Sequence, residues 1–153
     1  MSGSHPPGEI PPLALSLGDP AGIGPELIAE AWFQRRSLGL APFVVVGGAN
    51  IVTSAARSRG LEVPIVAVET MAAVDAALFD RGLPVLSSRD GVYAPGKPDA
   101  GGAQLALHSL TEACRAVREG EASALVTLPV AKSQLALAGF GHPGQTEFLA
   151  QQC

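Results

Sequence analysis

Short apolar blocks alternate with longer stretches of helical period along the chain. LALSL (Leu13 to Leu17) is an apolar run that ends at GDPAGIGPE (Gly18 to Glu26), a junction rich in glycine and proline. LIAEAWFQRR follows, with Leu27, Ile28, Ala31 and Trp32 on one helical face. Pro25 suits the first helical position, because its fixed φ is already helical and its missing N–H costs nothing there. FVVVG (Phe43 to Gly47) is β-branched and reads as a buried strand; NIVTSAARSRG reads as a helix closed by Gly60. PIVAV (Pro64 to Val68) predicts another strand. TMAAVDAALFDRG predicts a short helix ending at Gly82 or a looser segment, LPVLSS a weak strand, and RDGVYAPGKPDAGG a loop.

The strongest helical pattern comes next. Asp99 is placed to cap its start and Gly120 to close it, while Ala103, Leu107, Leu110, Cys114 and Val117 recur every three or four residues. Arg115 and Arg118 fall in the last turn, where cations suit the helix dipole. SALVTL (Ser123 to Leu128) predicts a strand. PVAKSQLALAG predicts a helix starting at Pro129 and ended by Gly139, and TEFLAQQC a helix capped by Thr146. Strands alternating with helices imply βαβ units, hence an α/β fold with a largely parallel sheet and flanking helices.

Composition sharpens this picture. Apolar residues make up 47% of the 153 and charged residues 16%, a globular balance. Aromatics are only 5%, so the core rests on Ala, Val, Leu and Ile, as parallel sheets covered by helices do. The net charge of −4 comes without any basic block, which argues against nucleic acid as a partner. The apolar runs are too short to span a bilayer, and residues 1–12, MSGSHPPGEIPP, have neither the basic nor the apolar region of a secretory signal. They read as a flexible tail on a cytoplasmic protein. Cys114 and Cys153 fit no metal or CxxC spacing, and Cys114 reads as a small buried hydrophobe.

Three stretches carry candidate chemistry. The glycine loop lies between a strand and a helix start, where free N–H groups can cradle an anion. Its GxGxxG match fails because Leu27 stands at the third glycine, and no Gly-Lys-Ser/Thr of a P-loop follows. The alternative is a tight connection that needs positive φ at one or two glycines. Asp19, Gly22 and Gly24 are the residues such a loop would turn toward a ligand. In TLPVAK, Lys132 falls in the first turn of a helix, against the dipole; an anionic ligand at the sheet edge would favour it there, and a solvated lysine is the plain alternative. HPGQTEF puts a glycine, an amide, a hydroxyl and a carboxylate at a helix start, either for a ligand or simply as a cap. His5, His108 and His142 share no site by spacing, and no metal triad can be read.

In combination, GDPAGIGPE, AGGAQLAL, LVTLPVAK and GFGHPGQTEFLA resemble the N-terminal half of the 4-hydroxythreonine-4-phosphate dehydrogenase family, in the same order and spacing. The first of them is similar, more distantly, to the GDGIGPE loop of the isocitrate and isopropylmalate dehydrogenases. The resemblance implies a two-lobed fold of that type, incomplete here, with residues 13–130 as the first lobe and 131–153 as a truncated start of the second. It implies a homodimer that oxidises and decarboxylates a small phosphorylated substrate in pyridoxal phosphate biosynthesis. NAD or NADP and a divalent metal (zinc, magnesium or cobalt) are the cofactors that it implies for the family. The family's GHTEF, whose His and Thr contact substrate, maps onto Gly144 to Phe148; Thr146 matches, and Gln145 replaces the histidine. The family's metal-binding histidines belong to the half that follows, so the resemblance assigns this chain no metal ligand and no catalytic residue. The expectation is a chain that is inactive alone. The alternatives are a non-catalytic remnant that binds a phosphate compound or a partner, a dehydrogenase of another phosphorylated hydroxy acid, and an unrelated nucleotide-binding domain.

Overall fold

The computed structural model describes residues 8–152. Most of the expected tail, and Cys153, lie outside them. Pro12 is already buried, and its carbonyl accepts a hydrogen bond from Ser123 N at 3.0 Å.

Five parallel strands form one sheet in the order β3-β4-β2-β1-β5. They are β1 (Leu13–Ser16), β2 (Phe43–Val46), β3 (Ile65–Val68), β4 (Leu83–Leu86) and β5 (Leu125–Val126). Six helices connect or follow them: α1 (Gly24–Phe33), α2 (Ala49–Ser58), α3 (Ala76–Arg81), α4 (Ala100–Arg118), α5 (Lys132–Leu137) and α6 (Gln145–Gln152). The α/β class and parallel sheet are as expected.

Strand alternation distributes the core. Leu15, Phe43, Val45, Leu83 and Val85 pack with Ile28 and Trp32 of α1 and Ile51, Val52 and Ala56 of α2. Ala14, Val44, Val46 and Leu86 face the other way, onto Ala113 and Ala116 of α4. Small residues on both sides let α4 lie close to β1. The β2 strand is buried on both faces, which is why FVVV reads as an unbroken apolar run. A third cluster seats α5 and α6 on α4: Ala106 and Leu110 meet Leu135, Phe140 and Phe148.

Several boundaries differ from expectation, each for a local reason. Helix α1 starts one residue early, at Gly24, and Leu27 is exposed, because the buried face runs through Ile28, Ala29 and Trp32. The segment from Thr70 divides into a 3-10 turn at Met71–Ala73 and then α3, whose cap is Asp75: its Oδ1 accepts from Leu78 N at 2.7 Å. Strand β4 pairs with β2 only at Val85 and Leu86, since Pro84 brings no N–H to the ladder. Helix α4 is capped by Asp99, as its pattern predicts, and Gly120 follows it at φ 75°. Its buried stripe is rotated, however, to Ala103, Ala106, Leu110 and Ala113, leaving Leu107 and Val117 half-buried. Strand β5 has two residues instead of six, because Leu128 N turns to the Ser16 hydroxyl at 3.2 Å. Helix α5 begins at Lys132, not Pro129, whose carbonyl is held by Asp19 N at 2.9 Å. Thr146 is inside α6 and does not cap it; the Gly144 carbonyl accepts from Phe148 N at 3.3 Å and so opens that helix.

Candidate functional site at the carboxyl ends of β1 and β5

Helix α1, which follows β1, packs on one face of the sheet, whereas α5, which follows β5, packs on α4 of the opposite face. Two neighbouring strands whose connections part in this way open a crevice at their carboxyl ends, where α/β sheets take ligands. The glycine loop and the loop between β5 and α5 form that crevice here. A recess of about 330 Å³ lies between them, lined by Asp19, Ala21, Gly22, Ile23, Pro98, Pro129, Val130 and Ala131.

The glycine loop is held by its backbone. Asp19 is 5% exposed, and its Oδ1 accepts from Ala21 N at 2.8 Å while its carbonyl accepts from Gly22 N at 2.9 Å. The carboxylate thus shapes the turn. The positive φ falls at Gly18, 73°, and not at Gly22 or Gly24. A Cβ at Gly18 would stand 2.6 Å from the Pro129 carbonyl oxygen, so its hydrogen is needed for the two loops to approach. Gly24 is needed for packing, since a Cβ there would lie 2.7 Å from Leu17 O. Gly22 has room, its nearest obstacle being Asp19 O at 3.4 Å.

Two buried hydroxyls finish the sheet edge, and neither was legible as a site residue. Ser109, fully buried on α4, accepts from Leu17 N at 2.8 Å and donates to Val46 O at 2.7 Å, bridging the ends of β1 and β2. Ser16 joins β1 to Leu128 as described. The signal for Ser109 was a hydroxyl in phase with the apolar stripe of α4.

Helix α6 meets the same edge. Gln145 Nε2 donates to the Leu128 carbonyl at 3.3 Å, while its buried Oε1 has no hydrogen-bond partner among the described residues. A Cβ built on Gly144 would lie 3.0 Å from Glu147 Oε2 and 4.0 Å from Lys132 Nζ, so both charged groups reach the same side of Gly144. Glu147 in the first turn suits the α6 dipole, and Lys132 opens α5. Thr146 is exposed in the same turn. The structure therefore brings Asp19, Gly22 and Gly24 to one side of the edge and Lys132, Gln145 and Thr146 to the other. His142 stands apart, packed between Phe140 and Phe148 with ring centroids 5.2 and 5.4 Å away. His108 contacts the Ser88 hydroxyl; burial, and then nearby Arg89, hold its pKa below the ordinary 6.5. No group of three or more His, Cys, Asp or Glu among the described residues is arranged to hold a metal.

A parallel sheet with helices on both faces and a crevice between β1 and β5 defines an α/β protein of the doubly wound kind. Comparison with known proteins narrows this. The chain belongs to the family of the pyridoxal phosphate biosynthetic protein PdxA, whose family model matches residues 40–153. It is 53% identical over 142 residues to the 4-hydroxythreonine-4-phosphate dehydrogenase of Erythrobacter litoralis, a match covering 93% of this chain and 42% of that protein. It is 46% identical to the enzyme of that name from Methylorubrum populi, across 91% of this chain and 40% of the relative. The crystal structure of 4-hydroxythreonine-4-phosphate dehydrogenase from Klebsiella pneumoniae superposes with a TM-score of 0.78 at 30% identity, covering 93% of this chain and 44% of that one. The chain thus spans about two fifths of the length of the relatives it matches. Among the described residues no helix is long and apolar enough to cross a membrane.

Proposed function

We propose that this chain supplies one wall of the active cleft of a 4-hydroxythreonine-4-phosphate dehydrogenase, the wall that receives the small phosphorylated substrate. The observation that carries the reading is the joining of three separate motifs at one sheet edge. Asp19 N on Pro129 O and Gln145 Nε2 on Leu128 O tie the glycine loop and α6 to the same short loop. The Lys132 ammonium, the Thr146 hydroxyl and the free amides of the first turn of α6 are the groups for an anionic substrate. The buried Gln145 Oε1, which lacks a partner among the described residues, is an acceptor for a substrate hydroxyl or ammonium once the cleft is occupied. The Gln145 amide does not ionise at any working pH, so at this position the chain orients substrate and transfers no proton.

The described residues gather no metal ligands and lack the dinucleotide glycine fingerprint, so neither metal nor NAD(P) chemistry is derived from them. We assign residues 13–130 to a first lobe and 131–153 to the start of a second, and place the working enzyme in the cytoplasm as a homodimer. The test is calorimetric titration of the chain with 4-hydroxythreonine 4-phosphate, beside an assay for nicotinamide reduction. Saturable binding that weakens at least about tenfold in Lys132→Ala, with no turnover by the chain alone, is the expected result. Absence of binding would refute the reading. Turnover by the isolated chain would refute the division of labour.

A further inference from the structure

The connection from β4 to α4, residues 87–99, has no helix or strand of its own, a length at which such loops usually serve function. Its first part is firmly seated. Ser88 contacts His108 of α4, Arg89 O accepts from Gly48 N at 2.9 Å, and Asp90 Oδ2 accepts from Asn50 N at 2.9 Å. From Gly91 to Pro98 three hydrogen bonds reach outward. Tyr93 Oη donates to Glu26 Oε1 of α1 at 2.7 Å, with the Ser58 hydroxyl 3.5 Å away, and Gly96 N donates to Ala21 O of the glycine loop at 2.8 Å. Around a turn closed by Lys97 N on Ala94 O, the segment is mostly exposed, and Val92 is 81% exposed. Apart from Tyr93, which is half-buried against the core under α1 and α2, it rests on few buried contacts, the property of segments that open locally.

The line where it meets the glycine loop divides two recesses. Ala21 and Pro98 line the one at the β1/β5 crevice, about 330 Å³, while their neighbours Pro20 and Asp99 line a second of about 250 Å³ together with Ile51, Gly91 and Leu105. We propose that residues 91–98 are a strap across the carboxyl edge of the sheet, that Tyr93 is its latch, and that release of the strap joins the two recesses into one groove. Tyr93 is then a positioning residue: it sets where Pro98 and Ala21 stand without touching a ligand. The inference rests on the proposed function only for the use of the groove; the latch itself is tested without a ligand.

The experiment is hydrogen exchange read by mass spectrometry on the full chain, comparing the parent with Tyr93→Phe, Glu26→Ala and Glu26→Gln. In Tyr93→Phe and Glu26→Ala, peptides covering 91–98 and 19–23 should exchange roughly tenfold faster, the scale of one net hydrogen bond, while those of β1 and β2 stay unchanged. Glu26→Gln keeps an acceptor oxygen and should stay near the parent. Unchanged exchange in Tyr93→Phe overturns the latch. So does an equal rise through the sheet in both disruptive variants, or a Glu26→Gln protein that exchanges like Glu26→Ala. If the latch passes and 4-hydroxythreonine 4-phosphate does not bind, the functional reading fails and the strap stands.

Discussion

At the scale of residues, the glycine junction separates into distinct roles. Gly18 supplies the left-handed turn and the close approach to Pro129, Gly24 makes room for the Leu17 carbonyl, and Gly22 faces the recess with space to spare. Gly18→Ala should therefore lower stability by about 2 kcal/mol or more, from backbone strain and the carbonyl clash together, whereas Gly22→Ala should change it by about 0.5 kcal/mol or less. Urea unfolding followed through Trp32, the single tryptophan, measures both. The reverse order would mean that the loop is shaped by something other than these contacts. The sequence made the junction conspicuous, but conformational freedom and steric room look alike in a string of glycines. Only the position of the Pro129 carbonyl, more than a hundred residues along the chain, distinguishes them.

At the scale of elements, the long helix and the β-branched strands were legible because each satisfies its own period and caps. Helix α4 has Asp99 before it and Gly120 after it, and β2 is apolar throughout. The elements near the site were less legible for a physical reason. Strand β5 stops after two residues because a side chain, Ser16, takes the next N–H, and α5 waits until Lys132 because Pro129 is engaged by Asp19. Those partners come from the other end of the chain, where local periodicity has no reach. Helices α5 and α6 are short and depend on docking, since isolated helices of such length are not stable in water. Phe148, 6% exposed, holds α6 on α4 beside Leu110 and Leu135. Phe148→Ala should cost about 3 kcal/mol of that docking. Hydrogen exchange should show residues 132–152 opening while β1 and β2 keep their protection; loss of protection throughout would mean that the third cluster belongs to the global core.

For the molecule as a whole, Tyr93 and His108 each tie stability to pH. Burial raises the pKa of Tyr93 above 10.0; the Ser58 hydrogen bond and Arg59 lower it, and Glu26 adds to the rise. The folded state therefore keeps its phenol proton when the unfolded chain begins to lose it. That contribution is complete below pH 10.0 and declines as pH climbs through the raised folded value. His108 has the opposite sign. Burial and Arg89 lower its pKa, with Glu112 opposing, so its neutral form is favoured by folding. Its contribution is complete above pH 6.5 and declines as pH drops through the lowered folded value. Unfolding midpoints taken across pH should fall at both ends. Tyr93→Phe should remove the alkaline decline alone; a variant that kept it would assign that limb to other groups.

Helix α4 carries both halves of the crevice. Ser109 fastens the tips of β1 and β2, and on the same rod Ala106, one turn before it, and Leu110, the next residue, pack with the aromatic ring that seats α6. The glycine loop and the Gln145 helix thus share a single mount. A substitution that slides this rod along its axis carries both flanks together and preserves their separation, whereas one that loosens either joint lets the gap drift. Tolerance to change in α4 should follow the joints, not the surface it exposes.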